Sequence, residues 1–352
     1  MIERKLEEFI IGSSAVMRRL RERIARIGPS RLPVLILGPT GAGKELVARG
    51  LHLASGRSGA FVTCNVSALN PSLFESAVFG HVRGAFTGAV RDCRGHLADA
   101  NGGTMFFDEI GGLAPECQPK LLRALDGYGF RPIGASQDRQ SDFRLISATN
   151  DDLSGMVRTG RFRADLWYRL AGVTIAVPPL SARLDDLPAL TEHVLARRGQ
   201  TEIQQSMSAA ALEILRLHEW TGNVRELSLT IERAALFADG SLVDATHVEA
   251  AIECASLAMR SHGLRKATYD QLIAALSATG GDVQKAARAL GISRPTIYRL
   301  LQSFGLAARR WRSGEAGPLM DRRIRDPEAV QSVRQASATP SAEFPETDGR
   351  NL

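Results

Sequence analysis

Residues Gly38-Pro-Thr-Gly-Ala-Gly-Lys44 follow a short apolar run, Val34–Leu37, and lead into a helical stretch that opens at Glu45. The spacing is G-x-x-x-x-G-K in a strand–loop–helix context, and few folds can carry it. The glycines allow successive backbone N–H groups to turn inward on phosphate oxygens. The helix N-terminus adds partial positive charge, and Lys44 reaches the β- and γ-phosphates. Gly38, Pro39, Thr40, Gly41, Ala42, Gly43, Lys44 and Glu45 are therefore expected to line a nucleotide site. Glu45 stands where the general motif has Ser or Thr to ligate magnesium, so the metal must lean on other groups.

The surrounding chain suits such a loop. Short apolar runs at Val34–Leu37, Phe61–Cys64, Thr104–Phe107, Phe143–Ala148 and Val173–Val177 alternate with helical stretches. They are continuous rather than alternating, as in parallel strands covered on both faces. The expected fold class is α/β with a parallel sheet. Thr104-Met-Phe-Phe-Asp108-Glu109 is an apolar strand ending in two acids. Asp108 suits Mg²⁺, directly or through water, and Glu109 suits polarising the water that attacks the γ-phosphate. Asn150 ends the next strand, where its amide either orients that water or caps the following turn.

Three arginines stand in two readings each. Arg163 and Arg169, six apart, reach a neighbouring subunit's nucleotide or pair with Asp165 and solvent. Arg225 closes onto the phosphates or forms a helix-start salt bridge with Glu226 or a neighbour. After Pro178-Pro179 the chain reads as wholly helical from Leu180 to about Ala255, with Ser208 capping a helix over Ala209–Glu219.

The net charge is +6, yet Leu264 to Arg312 alone holds nine Lys/Arg against two acids. A basic excess in one short segment is the footprint of a nucleic-acid-binding module. Within it, Asp282–Leu290 and Ser293–Ser303 read as two short helices joined at Gly291, a helix-turn-helix. Val283, Ala286, Ala287 and Leu290 form one apolar face, and Ile292, Ile297, Leu300 and Leu301 the other. Ser293 caps the second helix; Arg294, Thr296, Tyr298 and Arg299 are left for DNA, with Arg294 and Thr296 nearest the major groove and Arg299 placed for phosphate. Cys64, Cys93, Cys117 and Cys254 have neither a CxxC pair nor metal-ligand spacing, as expected of reduced thiols in the cytoplasm. No run of about 18 apolar residues predicts a membrane span.

The stretch Gly80–Val90, GHVRGAFTGAV, sets one phenylalanine among small residues. An aromatic loop tip gains nothing from water and suits contact with a partner. With these residues together, the chain resembles the bacterial enhancer-binding proteins, AAA+ ATPases that activate sigma-54 RNA polymerase. Gly84-Ala-Phe-Thr-Gly-Ala89 is the most specific match. Glu45, Gly102–Ile110, Ala148-Thr-Asn150, Phe162-Arg-Ala-Asp-Leu and Gly222-Asn-Val-Arg-Glu-Leu227 follow the same pattern. Ala286-Ala-Arg-Ala-Leu-Gly-Ile-Ser-Arg294 and Thr296-Ile-Tyr-Arg299 resemble a Fis-type DNA-binding domain.

The resemblance implies ATP and Mg²⁺ as cofactors. It implies contact of Gly84, Ala85, Phe86, Thr87, Gly88 and Ala89 with sigma-54. It implies a switch role for Asn65 in holding Glu109, sensor roles for Asn150 and Arg225, and trans-acting roles for Arg163 and Arg169. Partners would be the polymerase holoenzyme, double-stranded enhancer DNA, and further copies of the chain, as a dimer on DNA and a hexameric ring with ATP. The pattern is departed from at Pro39, Ala42, Ser181-Ala182 and Thr221, none of which removes a catalytic group.

The expected division is a short extension over 1–10, an AAA+ α/β subdomain over 11–179 carrying the loop at 80–90, a helical lid over 180–255 and a linker over 256–266. A helix-turn-helix over 267–308 follows, then a basic and finally disordered tail over 309–352. Only about ten residues precede Ile11, so control is expected from a regulatory protein acting in trans, from expression level or from a partner subunit. Two other readings stand beside this one: a regulator that binds nucleotide and DNA without catalysis, and an AAA+ remodeller of another client. The acidic pair with the Gly84–Ala89 loop argues against the first, the helix-turn-helix against the second.

Overall fold

The computed structural model describes residues 2–127, 129–197, 205–280, 282–292 and 294–303. They fall into two compact units, Met1–Leu257 and Ala258–Leu352. The first unit begins with α1 (Ile2–Glu7), α2 (Ala15–Ile27), β1 (Val34–Leu37), α3 (Lys44–Ser55), β2 (Phe61–Asn65), α4 (Pro71–Phe79), α5 (His96–Asp99) and β3 (Thr104–Asp108). It continues through α6 (Gln118–Leu125), β4 (Arg144–Thr149), α7 (Leu153–Arg158), α8 (Ala164–Leu170) and β5 (Val173–Ala176). Side-chain caps start several helices: Ser14 accepts from the Met17 N–H, Asn70 from Leu73 and Asp152 from Gly155, each satisfying a donor the helix leaves open.

The five strands form one parallel sheet in the order β2-β3-β4-β1-β5. Successive residues alternate between its faces. Val34, Ile36, Phe106, Ile146 and Ile175 pack with α1–α3. Leu35, Met105, Phe107 and Leu145 pack with α4–α8. Because both faces are covered, β1, β3 and β4 are buried nearly throughout, and β4 is so even at Arg144, Ser147 and Thr149. At the edges, β2 and β5 are only partly buried. The doubly covered reading therefore holds for the three central strands and not for these two.

The lid consists of α9 (Leu187–Arg197), β6 (Ser206–Met207), α10 (Ala209–Leu217), α11 (Asn223–Phe237), β7 (Leu242–Val243) and the start of α12 (Ala245–Ala278). Ser208 does cap α10, accepting from the Ala211 N–H, but the helix ends at Leu217 rather than Glu219. The lid is not wholly helical: β6 and β7 form a short parallel pair. Two-residue strands carry too little periodicity to stand out in a sequence. Its own core gathers Leu187, Leu215, Trp220, Leu227, Ile231 and Val248. Residues 256–266, expected as a linker, are helical, inside the 34 residues of α12, and the division between the two units falls among them. Nothing in Ser256–Arg265 breaks a helix except one tolerated glycine.

In the second unit, the end of α12 is followed by α13 (Val283–Ala289) and α14 (Arg294–Ser303). Leu272, Leu276, Val283, Ala286, Ala287, Ile297 and Leu301 form its core. Asp282 caps α13, its Oδ1 accepting from Gln284 and Lys285. Gly291, at φ +66, ends it. The Ile292 N–H donates to Ala287 O and the Gly291 N–H to Arg288 O, a Schellman closure that needs the left-handed residue.

Candidate functional site

The phosphate loop leaves β1 at the carboxyl end of the sheet, between β4 and β5. Gly41 (φ +76) and Gly43 (φ +103) take left-handed backbone, which a side chain would oppose. Among the described residues, the N–H groups of Gly41 and Gly43 find no protein acceptor. They are the donors an anion needs. Lys44 is only 7% exposed. Its Nζ donates to Gly38 O at 3.1 Å and stands 3.4 Å from Glu109 Oε1. Glu45 forms an ion pair with Arg49 one turn along the exposed side of α3.

Asp108 and Glu109 end β3, next to β4. Glu109 is one of two non-glycine residues among those described with positive φ, at +52. Such a turn is costly for a side chain and occurs where the surroundings hold it; here it brings the carboxylate to Lys44. Asp108 is half-buried, and burial, followed by the Glu109 charge, raises its carboxyl above the ordinary range. A carboxylate so placed favours a cation. Asn150 donates from Nδ2 to Thr40 Oγ1 at 3.1 Å, which fixes its amide against the loop. Asn65 lies opposite Asp108 in the β2–β3 register. Its Oδ1 accepts the Ala68 N–H, and among the described residues it makes no hydrogen bond to Glu109.

A cavity of about 690 Å³ opens between the loop, the acidic pair, the Phe9–Ile11 segment and the lid. Its volume lies within the range of small-molecule sites. Arg225 lines it, and its backbone N–H donates to Gly41 O at 3.3 Å. The expected alternative pairing with Glu226 does not form. Glu226 instead accepts the Gly222 N–H at 2.7 Å and lies 3.3 Å from His218 Nε2. Arg163 does pair with Asp165, through Nε at 3.0 Å and Nη2 at 2.7 Å. Arg169 donates to Leu125 O and stands 3.4 Å from Asp126 Oδ1. Within one chain, therefore, both arginines are engaged on α6–α8 and its flanks, away from the phosphate loop.

Sequence inspection passed over two residues at this site. Asn223 is buried and donates to Thr40 O; Arg183 is buried and donates to Ala42 O. Their signals were faint: an asparagine opening a helix after glycine, and an arginine in a short turn between Ser181 and Asp185-Asp186.

The 80–90 loop projects from a small bridged base. His81 pairs with Cys93 and Ile133, and the Val82 N–H donates to Ile133 O. Phe86 is 45% exposed, and its ring meets His81 edge-on at 5.0 Å. Gly84 (φ +79) and Gly88 (φ +100) flank it in left-handed backbone. In the second unit, Arg294 opens α14, Tyr298 is exposed and Thr296 partly so, and Arg299 lies further along the same helix. Ser293 lies outside the described residues, as does the tail expected at 309–352.

A phosphate loop after β1 of a parallel sheet, an acid pair at the end of β3 in the same sheet and a helical lid define an AAA+ P-loop ATPase, here joined to a helix-turn-helix unit. Residues 10–176 match the sigma-54 interaction domain, 181–262 the AAA+ ATPase lid domain and 264–304 the Fis family of bacterial regulatory proteins. The transcriptional regulatory protein ZraR of Salmonella typhimurium is 42% identical over 299 residues, covering 83% of this chain and 68% of that protein. The C4-dicarboxylate transport transcriptional regulatory protein DctD of Rhizobium meliloti is 43% identical over 300 residues, 84% of this chain and 64% of that one. The crystal structure of NtrX from Brucella abortus in complex with ADP superposes with a TM-score of 0.64 at 33% identity, over 86% of this chain and 72% of that one. The chain belongs to the sigma-54-dependent transcriptional regulators. It is accordingly a nucleotide-binding ATPase and transcriptional activator with a sigma-54 interaction domain and a Fis-type DNA-binding unit. Among the described residues, no helix is long and apolar enough to cross a membrane.

Proposed function

We propose that the cavity binds Mg²⁺·ATP, that hydrolysis there drives the 80–90 loop against sigma-54, and that this opens the closed promoter complex. The observation that carries the reading is the convergence of Lys44, Asp108, Glu109 and Asn150 on one loop. The unpaired N–H groups of Gly41 and Gly43 and the nearby Lys44 suit phosphates. The apolar wall formed by Phe9, Ile10 and Ile11, facing Val194 and Leu229 of the lid, suits a nucleobase. Asp108, the acid that burial and Glu109 make hungriest for a cation, would hold Mg²⁺; the metal would spread the charge that develops on the phosphates.

Glu109 takes a proton from the attacking water, and Asn150 steers that water from its seat on Thr40. Asn65 acts as the switch for Glu109 in a nucleotide state where the Lys44 contact is exchanged. Arg225 senses the γ-phosphate from the lid. Two-fold dimers on enhancer DNA assemble into a hexameric ring, and Arg163 and Arg169 reach the neighbour's nucleotide. The Arg163–Asp165 pair is exposed on both sides, so exchanging it for a phosphate costs little. The Gly84–Ala89 loop meets sigma-54 through Phe86 and Thr87. Ser293, Arg294, Thr296, Tyr298 and Arg299 meet DNA. The α/β subdomain over 11–179 thus supplies force, the lid over 180–255 reports nucleotide state and the segment over 267–308 locates the promoter.

The test is transcription in vitro from a sigma-54 promoter bearing an upstream site. Open complexes are expected with ATP and not with a non-hydrolysable analogue. Equal open-complex yield with the two nucleotides would sink the proposal.

A further inference from the structure

A phosphate loop has an outer side as well as an inner one. Each peptide that aims its N–H at the cavity aims its C=O away from it, and a carbonyl turned into protein must find a donor. From Gly38 to Gly43 every carbonyl has one. Three are local: Lys44 Nζ on Gly38 O, the Ala42 N–H on Pro39 O and the Val47 N–H on Gly43 O. The middle three come from the lid. Asn223 Nδ2 holds Thr40 O at 3.0 Å, the Arg225 N–H holds Gly41 O at 3.3 Å, and Arg183 Nη2 holds Ala42 O at 2.8 Å.

We propose that Asn223 and Arg183 are positioning residues for nucleotide binding: by gripping the Thr40 and Ala42 carbonyls they keep the loop's N–H groups turned toward the phosphates, so that lid seating and anion-binding shape are one coupled element. The inference rests on the reading that the cavity takes ATP.

Several observations support the grip. Asn223 is 2% exposed and sits at φ +53, a left-handed conformation uncommon for a side-chain-bearing residue. Its amide has one orientation that satisfies both neighbours. Oδ1 accepts the Leu180 N–H at 2.8 Å, so Nδ2 must face Thr40 O. Turning the amide would set two acceptors and two donors against each other. Arg183 is a buried cation with no carboxylate at ion-pair distance among the described residues. Burial pulls its pKa down, only partly offset by Asp186. Burying such a group is costly unless its donors are used; here Nη2 goes to Ala42 O and Nη1 to Met17 Sδ, while Nε finds no partner among the described residues. The approach is close enough that a Cβ on Gly41 would lie 2.2 Å from Gly222 O; at that point only glycine fits.

The full chain carrying Asn223→Asp, Arg183→Lys or Arg183→Met tests the proposal. Asn223→Asp keeps the acceptor for Leu180 and sets an oxygen against Thr40 O. Arg183→Lys keeps a donor for Ala42 O, and Arg183→Met keeps the volume without one. ADP affinity by calorimetry, melting with and without ADP, and KM and kcat for ATP are measured. Asn223→Asp and Arg183→Met are expected to weaken ADP at least 10-fold and raise KM more than they lower kcat. The ADP-induced rise in Tm should shrink beyond any change in the nucleotide-free Tm, and Arg183→Lys should recover part of the affinity. If Asn223→Asp does not fold, Asn223→Gly, which accepts the positive φ, carries the same expectation. Wild-type ADP affinity in the folded Asn223 variant and Arg183→Met overturns the proposal, as does an equal loss in Arg183→Lys and Arg183→Met. ADP affinity also keeps the two readings apart: a wild-type chain that binds ADP but activates no sigma-54 promoter would defeat the functional reading alone.

Discussion

At the scale of single residues, the acid pair divides its labour by environment. Glu109 faces Lys44 at 3.4 Å, whereas Asp108 is pushed toward its neutral form by burial and by Glu109. Glu109→Gln keeps the shape and removes the base, so ATP turnover should fall roughly 10²–10⁴-fold with ADP binding retained; steady-state hydrolysis and calorimetry check this. Asp108→Asn removes a charge that the folded state disfavours. The folded pKa of Asp108 lies above its ordinary 3.8, so the folded state holds the proton longer than the unfolded one. Its charge therefore costs stability above the raised pKa, and stability is lost as pH rises through the window between the two values. The nucleotide-free Asp108→Asn protein should melt higher than wild type at pH 7, with the gap closing below pH 3.8 while Mg²⁺-dependent hydrolysis is lost. Thermal melts across pH are the measurement. These two acids were legible in the sequence because an apolar strand ending in carboxylates is a local pattern. Asn223 and Arg183 were not, since their partners Thr40 and Ala42 lie 183 and 141 residues away.

Among elements, the 80–90 loop departs most from what folding alone would favour. Its base is bridged to Cys93 and Ile133, while the Phe86 ring at its tip meets His81 edge-on and stays half exposed. Thr87→Ala and Phe86→Ala should therefore leave melting and ATP hydrolysis near wild type, because surface substitutions shift stability by only about 0.5 kcal/mol. Both should abolish open-complex formation, scored by the same promoter assay. Loss of hydrolysis alongside activation would show that the loop supports the fold instead. Helix α14 offers a second element-scale test. Arg294→Ala should weaken specific DNA binding by about 1–3 kcal/mol if it reads a base, as judged by competition between the cognate fragment and unrelated DNA. Unchanged selectivity would reduce it to a phosphate contact. The Gly291 turn before this helix was readable in advance, because a Schellman closure is wholly local. The β6–β7 pair was not, since residues 206 and 242 meet only through the lid fold.

For the whole molecule, the two compact units divide at Leu257 and Ala258, inside α12 rather than in a loop. A helix can continue through a change of unit because its hydrogen bonds are satisfied within four residues. Parts whose physics is local or periodic could be read from the residues alone. These are the three central apolar strands, the glycine-bearing phosphate loop, the acids that close β3 and the basic segment with its turn glycine. Contacts between distant parts of the chain arose only on folding, and folding settled them. It placed Arg144, within an apolar run, so that its guanidinium caps the carboxyl ends of α2 and α3 through Ile27, Gly28 and Leu51. It set β2 and β5 at the sheet edges, engaged Arg163 and Arg169 within their own chain and laid three lid donors along the back of the phosphate loop. The physical reason is the same throughout: a buried polar group must find its partner wherever the fold supplies one, and sequence distance carries no record of that search.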